Sequence, residues 1–190
     1  MWFLDTSALV TLAVHPPLQQ AVQVVLSQHS RVLVNAVVVE LESLAATQLS
    51  VAVWAKTALG QLDWLGKPVR LDDPEGTDLA VALQEELAAG RSLKHDAEHF
   101  GEASIIAMAS RARLLRPLML SDDYNARIAA KTHNVTPLSV HKLLHLMIRQ
   151  EKLTAAKAAG FADALVSAGR TQDYTMAELE SGALGRIGQP

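Results

Sequence analysis

The sequence predicts an α/β fold with a central, mostly parallel sheet and helices on both of its faces. Short apolar runs alternate along the chain with longer segments of helical periodicity, and this alternation is typical of parallel sheets. The composition is that of an ordinary globular protein, with 49% apolar and 19% charged residues. The 190 residues are enough to bury a sizeable core in one compact domain.

The expected strands are short apolar runs that end in polar turn residues. In chain order they lie at residues 2–4, 32–34, 68–71, 118–120 and 134–137. The other segments have apolar residues at helical spacing, and we expect helices at residues 7–14, 18–28, 35–48, 51–63, 78–89, 101–113, 124–133, 139–149 and 154–168. Asn35 is a candidate N-cap, and the Asp-Asp-Pro-Glu-Gly sequence at 72–76 indicates a loop.

Cysteine content and hydropathy indicate the cellular compartment. The chain contains no cysteine, which excludes disulfides, thiolate zinc sites and a cysteine nucleophile, and which fits a reducing cytosol. No stretch reaches the roughly 20 apolar residues that a bilayer span requires. Residues 1–14 are apolar, but they lack a basic segment and contain Asp5, so we expect a core strand and helix rather than a signal peptide. We therefore expect a cytoplasmic protein without membrane contact.

Charge is distributed unevenly along the chain. The net charge is −3, yet residues 111–152 carry eight basic and three acidic side chains. A local basic surface can bind a polyanion even on a mildly acidic protein, so Arg113, Arg116 and Arg127 are candidate phosphate contacts. The alternatives are a solvated helix end for the first two arginines and, for Arg127, a helical ion pair with Asp123.

Acidic residues follow two of the expected strands. Asp5 ends the first strand, and Asp122 and Asp123 follow the run at 118–120. Ligands of an open parallel sheet bind outside the carboxyl ends of the strands, at the point where the strand order reverses. Acids at the ends of neighbouring central strands would therefore face one crevice. A simple helix N-cap is the alternative for Asp5 and for Asp122.

Two glutamates lie on the apolar faces of expected helices. Glu40 shares a helix face with Val37 and Leu44, and Glu102 shares one with Ile105. An isolated ionised carboxylate on a buried face costs several kcal/mol or raises its pKa, so each glutamate needs a partner. A shared divalent cation would neutralise both. The alternatives are that they extend to the surface or pair with distant arginines.

The candidate acids offer only oxygen ligands, which favours Mg²⁺ or Mn²⁺ over zinc. These ions, singly or in pairs, position phosphodiesters and activate an attacking water. Ser7 and Ser121 place hydroxyls beside the acids, where they are candidates for orienting ligands or contacting a substrate. His95 and His99 have the i, i+4 spacing of a zinc pair, but no third ligand is evident, so we expect a polar loop or helix start there.

Four short acidic motifs occur in order along the chain: FLDTSAL at 3–9, VVEL at 38–41, GEASIIA at 101–107 and LMLSDD at 118–123. Together they resemble the motifs of PIN-domain nucleases, a family that includes the toxin ribonucleases of bacterial and archaeal toxin–antitoxin modules. The resemblance covers roughly residues 1–140. It implies that the catalytic and metal-binding acids are Asp5, Glu40, Glu102 and Asp123, with Asp122 as an accessory metal ligand. Glu102 stands where the family more often has Asp.

The resemblance also implies an architecture and an activity. Residues 1–150 would form a three-layer nuclease domain, and residues 151–190 a C-terminal helical extension with a partly disordered tail. The implied activity is Mg²⁺- or Mn²⁺-dependent endonucleolytic cleavage of RNA, by a homodimer with an antitoxin protein as a possible partner. DNA stays open as a substrate, because nothing in the sequence recognises a 2′-hydroxyl.

Two other functions compete with this one. The first is a PIN-like fold that serves only as a binding module; loss of an acid would indicate it, and none of the four is missing. The second is an Mg²⁺-dependent phosphoryl-transfer domain. A haloacid-dehalogenase-like phosphatase needs a second acid two residues after its nucleophilic Asp, where this chain has Ser7. A receiver module has paired acids after its first strand, whereas here the pair follows the run at 118–120.

Overall fold

Four short parallel strands form the centre of the protein. The computed structural model describes residues 1–89, 97–112 and 116–170. Within these ranges the strands are β1 (Trp2–Leu4), β2 (Arg31–Val32), β3 (Leu118–Leu120) and β4 (Thr136–Leu138). Every pairing is parallel, and the spatial order is β2-β1-β3-β4. This confirms the predicted α/β fold with a parallel sheet.

Helices on both faces of the sheet complete a three-layer α/β sandwich. They are α1 (Thr6–Ala13), α2 (Pro16–Leu26), α3 (Asn35–Ala45), α4 (Ala52–Leu59), α5 (Pro74–Ala88), α6 (Phe100–Arg111), α7 (Tyr124–Thr132), α8 (Val140–Arg149) and α9 (Ala155–Ser167). A 3₁₀ turn at Leu62–Leu65 follows α4. Among the helices of the described ranges, none is both long and apolar enough to cross a membrane.

The two central strands are buried, as expected for a parallel sheet that lies between helices. Phe3 and Leu4 of β1, and Met119 and Leu120 of β3, are at most 1% exposed. Ile106 of α6 belongs to the same core and is also fully buried. Close packing on all sides leaves β1 and β3 little freedom. The residues directly after these strands are therefore held in fixed positions.

The strand expected at residues 68–71 is wrong, since only one bridge forms there. Val69 lies parallel to Val34, receives a hydrogen bond from the Asn35 N–H at 2.8 Å, and donates one to the Leu33 carbonyl at 2.8 Å. Pro68 has no N–H to extend this ladder. The chain on the other side turns into α3 at Asn35 and ends the pairing.

Two helix starts also differ from the sequence prediction. Residues 72–76 were expected to form a loop, but α5 begins at Pro74 with Asp73 as its N-cap, whose Oδ1 accepts the Gly76 N–H at 2.7 Å. Proline at the first helical position has a suitable φ and lacks only an N–H that would be unpaired there. Asn35 is the first residue of α3 rather than its N-cap; Val34 holds the cap position without a side-chain hydrogen bond.

The C-terminal helix belongs to the main core. Helix α9 was expected as part of an extension, and it packs against α8 with Ala158 and Leu165 fully buried in the same apolar cluster as the sheet. Its N-cap is Thr154, whose hydroxyl accepts the Lys157 N–H at 3.3 Å. The tail for which disorder was expected, residues 171–190, lies outside the described residues.

Candidate functional site

The strand order places a crevice between the ends of β1 and β3. After β1 the chain crosses to β2 on one side, and it later returns to β3 on the other side. The strand order thus reverses at β1, and ligands of such sheets bind outside the carboxyl ends at that point. Asp5 follows β1, and its N–H donates to the Leu120 carbonyl at the end of β3 at 3.1 Å. Asp5 and the 121–123 turn therefore lie side by side.

Four of the predicted acids line one cavity of about 230 Å³ at this crevice. They are Asp5 after β1, Glu40 in α3, Glu102 in α6 and Asp123 after β3. Asp5 is 1% exposed and Glu102 5%, whereas Glu40 and Asp123 are half-buried. A larger cavity of about 1010 Å³ lies between α2 and α9, but no Asp or Glu lines it among the described residues. The acidic cavity is therefore the candidate site.

Asp5 is both a helix cap and a member of the acidic cavity. Its Oδ1 accepts the Ala8 N–H at 2.8 Å, which caps α1, and both of its oxygens lie 3.0 Å from the Ser7 hydroxyl that donates to them. Burial, and after it the negative charge of Glu102, raise the pKa of Asp5 to about 8 against the opposing effect of these hydrogen bonds. Asp5 is therefore an N-cap, which was one of the two interpretations from the sequence, and it also lines the acidic cavity.

Glu40 is held among polar groups from two other elements. The Thr6 hydroxyl donates to its Oε2 at 2.6 Å, and the backbone N–H of His99 also donates to the carboxylate. Burial, with smaller contributions from the charges of Glu102 and Asp5, raises the pKa of Glu40 to about 9. The apolar helix face predicted from the sequence thus brings this carboxylate to the cavity.

Gly101 leaves the space that the Glu40 carboxylate occupies. A Cβ at this position would overlap the Glu40 Oε2 and lie 3.2 Å from the Thr6 Oγ1 and 3.4 Å from Val37. The glycine before Glu102 therefore lets α3 and α6 bring their acids to one place. The sequence motif contained this residue, but only the packing gives the reason for it.

His99 contacts the site, which was not predicted from the sequence. It is a helix start, as expected, since it holds the N-cap position of α6 with a left-handed φ of 63°. In addition, its Nδ1 lies 2.8 Å from the Glu102 Oε1. This hydrogen bond is the main cause that raises the pKa of His99. The signal in the sequence was a His three residues before an acid at a helix start. His95 lies outside the described residues.

The two predicted serines hold the crevice together from inside. The Ser7 hydroxyl accepts the N–H groups of Asp122 at 2.8 Å and Asp123 at 3.1 Å while it donates to Asp5. Ser121 is fully buried, and its Oγ lies 3.2 Å from the Asp123 nitrogen. Both hydroxyls are thus engaged within the protein, so we assign them to positioning the acids rather than to contacting a substrate.

Asp122 and Asp123 have separate roles. Asp122 turns to the start of α8, where its Oδ1 accepts the Val140 N–H at 2.9 Å, and it does not line the acidic cavity. Asp123 is the N-cap of α7 through the Ala126 N–H at 2.8 Å, and it does line the cavity. Asp122 was expected as an accessory metal ligand, but its side chain lies at the start of α8 and not in the acidic cavity.

Of the three predicted arginines, the structure describes Arg116 and Arg127, and neither lines the acidic cavity. Arg116 lies before β3, so it is at the amino end of the strand, whereas the acids lie at the carboxyl end. It lines a different cavity there. Arg113 lies outside the described residues. Arg127 donates to the Ser121 carbonyl at 3.1 Å and lies 5.9 Å from the Tyr124 ring centroid, where it supports the turn after β3.

Among the described residues, Arg170 is the arginine that lines the acidic cavity. Its Nε and Nη2 donate to the Thr11 hydroxyl at 3.0 and 2.7 Å, and Nη2 also donates to the Ser7 carbonyl at 3.2 Å. It lines the cavity of the acids and an adjoining one of about 340 Å³ beside Asp122 and Asp123. No local pattern in the sequence predicts this placement, since 159 positions separate Arg170 from Thr11.

The donor set suits a hard divalent cation. Asp5, Glu40, Glu102 and Asp123 offer carboxylate oxygens alone, and such ligands favour Mg²⁺ or Mn²⁺. Within the described part of the chain, no three acidic or histidine side chains are near enough in their present positions to hold an ion. They are near enough for the charge of Glu102 to raise the pKa of both Asp5 and Glu40. That repulsion is what a cation would relieve, so the residues fit one by their chemistry.

Comparisons of the chain with protein-family models, with curated proteins and with solved structures found no match. A parallel three-layer sandwich by itself hosts many unrelated functions. The acidic cavity and the sequence motifs are therefore the grounds on which a function can be assigned.

The raised pKa values predict that the metal-free protein loses stability as the pH rises. Asp5 and Glu40 titrate near 3.8 and 4.5 in the unfolded chain and near 8 and 9 in the folded one, so the folded protein holds more protons between these limits. The free energy of unfolding in EDTA should fall between about pH 5 and pH 9. Denaturant titration across this range measures it. Asp5→Asn should flatten the fall, and Asp163→Asn, at an exposed position on α9, should leave it as in wild type.

Gly101→Ala should displace Glu40 while the fold is kept, because the overlapping atom is the end of a flexible side chain. Circular dichroism should show an unchanged fold, whereas the rise in melting temperature on adding Mn²⁺ should shrink. Gly160→Ala on α9 is the matched control, since a Cβ there meets nothing within 4 Å. It should raise stability by up to about 1 kcal/mol through helix propensity and leave the response to Mn²⁺ intact. Equal Mn²⁺ responses of the two variants would contradict the role given to Gly101.

Proposed function

We propose that this protein is an Mg²⁺- or Mn²⁺-dependent endoribonuclease. The observation that carries the proposal is the convergence of Asp5, Glu40 and Glu102 from three elements on one cavity, with Asp123 on its wall. Carboxylates that are buried close together lower the stability of a protein, and groups with such perturbed pKa values are concentrated at functional sites. The four motifs that resemble those of PIN-domain nucleases supply these same four acids.

The acids would hold the cation through carboxylate oxygens. A bound Mg²⁺ or Mn²⁺ polarises a phosphodiester oxygen and lowers the pKa of an attacking water. The chain's own groups orient these carboxylates, since Ser7 and the Ala8 N–H fix Asp5, Thr6 fixes Glu40, and His99 restrains Glu102. Asp5 and Glu102 are buried, so water has little access to these two carboxylates.

RNA is the proposed substrate because the motifs resemble those of PIN-domain nucleases, a family that includes toxin ribonucleases. The same resemblance supports a homodimer and an antitoxin protein as partner. The absence of cysteine supports a cytoplasmic location, which is also part of this proposal. Hydrolysis would give a 5′-phosphate and a 3′-hydroxyl. Single-stranded DNA is the comparison substrate that tests the preference for RNA, since the two differ at the 2′-position.

Substitution of the buried acids should abolish cleavage and preserve the fold. Asp5→Asn and Glu102→Gln keep the shape and one acceptor oxygen of each side chain, but they replace the other carboxylate oxygen, a metal ligand in this proposal, with an NH2 group. Purified protein with labelled RNA should show cleavage with Mn²⁺ or Mg²⁺, none with EDTA, and a loss of at least 100-fold (about 2.7 kcal/mol) in each variant. Glu42→Gln is the matched control, because Glu42 is exposed on the same helix as Glu40. An active Asp5→Asn variant, or an inactive wild type, would refute the proposed chemistry.

Metal binding should also raise the stability of the wild type. A ligand that binds only the folded protein stabilises it by about 2.7 kcal/mol at a hundredfold excess over its Kd. The melting temperature should therefore rise with millimolar Mn²⁺, and Asp5→Asn should remove most of that rise while leaving the metal-free form at least as stable. Asn caps a helix about as well as Asp, so a role in capping alone predicts no change in either measurement. A wild type that does not respond to either ion would exclude the metal site.

A further inference from the structure

We propose that Arg170 binds a phosphate group of the RNA at the mouth of the acidic cavity. The inference rests on the proposed function and adds a residue that delivers the substrate to the acids. Arg170 lies three residues after α9, outside every motif on which the sequence assignment depends.

Arg170 lies between two adjoining cavities, so its guanidinium can contact a substrate that enters either of them. It lines the cavity of Asp5, Glu40 and Glu102, and it also lines the adjoining cavity beside Asp122 and Asp123. A phosphodiester that reaches the acids along this path passes the guanidinium. Carboxylates that line the cavity repel an RNA phosphate, and a fixed positive charge beside them offsets part of this repulsion.

The guanidinium of Arg170 keeps its charge available. Its hydrogen bonds go to two neutral acceptors, the Thr11 hydroxyl and the Ser7 carbonyl. None of the carboxylates of the described residues forms a salt bridge with it. By contrast, Arg111 is paired with Asp73 and is also near Glu75. An arginine that lines the acidic cavity and is held by neutral groups has its charge free for an anion.

The anchoring also fixes the direction of the side chain. Nε and Nη2 both donate to Thr11, a residue that is fully buried in α1. Two bonds to one fixed oxygen hold the planar fork of the guanidinium, and less conformational entropy is then lost when a phosphate binds. Nη1 is the nitrogen that these bonds leave for a phosphate oxygen.

A purely structural role is the competing explanation, in which Arg170 only ties the end of α9 to α1. The two roles differ in their dependence on salt. A phosphate contact releases counterions when RNA binds, and removing one such contact to a single strand lowers the slope of log affinity against log salt by about 0.7. A contact between α9 and α1 contributes to the melting temperature and not to this slope.

The test uses the full chain and a fluorescently labelled single-stranded RNA. Anisotropy in EDTA gives the Kd without cleavage, and kinetics in Mn²⁺ give kcat and KM. Arg170→Gln should raise the Kd about tenfold, reduce the salt slope by about 0.7, and raise KM more than it lowers kcat. Arg170→Lys should restore the slope and only part of the affinity, since it keeps the charge without the fork.

Two controls separate the phosphate contact from other effects. Lys157→Gln removes the same charge from an exposed position near the other end of α9 and should change neither the Kd nor the slope. Thr11→Val removes the anchor but keeps the guanidinium, so it should lower the melting temperature and leave the slope intact. An Arg170→Gln variant that behaves like Thr11→Val, or like Lys157→Gln, overturns the inference.

The outcomes also separate this inference from the proposed function. Cleavage by the wild type with an unchanged slope in Arg170→Gln refutes the role of Arg170 and leaves the nuclease proposal standing. RNA binding that depends on Arg170, without cleavage under any metal condition, supports the contact and refutes the catalytic proposal. A wild type that binds no RNA refutes both.

Discussion

The hydroxyl of Ser7 joins the two strand ends on which the site depends. It accepts the N–H groups of Asp122 and Asp123 from the turn after β3, and it donates to the carboxylate of Asp5 after β1. These hydrogen bonds tie the turn to the residues that follow β1, and Ser121 adds a further acceptor for the Asp123 N–H. The positions of α1 and α7, whose N-caps are Asp5 and Asp123, follow from the same contact.

Electrostatic repulsion sets the character of the cavity that this arrangement creates. Burial and the charge of Glu102 raise the pKa of Asp5 and of Glu40 far above their ordinary values. Thr6 and Ser7 offset part of this through hydrogen bonds to the carboxylates. Such conflicts between burial and charge are concentrated at functional sites, where the rest of the core compensates for them. A cation bound between the acids would attract each of them and so offset their mutual repulsion.

The acidic residues of the site could be predicted from the sequence, but the arginine that lines it could not. The acids could be predicted because each lies at a strand end or on an apolar helix face, and both patterns are local. The basic group could not, because local charge density favoured Arg113 and Arg116, whereas Arg170 reaches the cavity from the end of α9. A long side chain is placed by the packing of its helix against the core, and no short stretch of sequence contains that information.

The sequence by itself determined the fold class, the two central strands and the four acids that meet at their ends. Hydrophobic periodicity and turn chemistry act within about ten residues, so they are present in any local stretch. Only the tertiary structure decided that Val69 makes one bridge instead of a strand, that Asp122 turns to α8, and that Gly101 and His99 shape the space around Glu40 and Glu102. These features depend on which backbone atoms approach from distant parts of the chain. Side-chain direction and close contact are fixed by packing between elements, after local periodicity has formed the elements themselves.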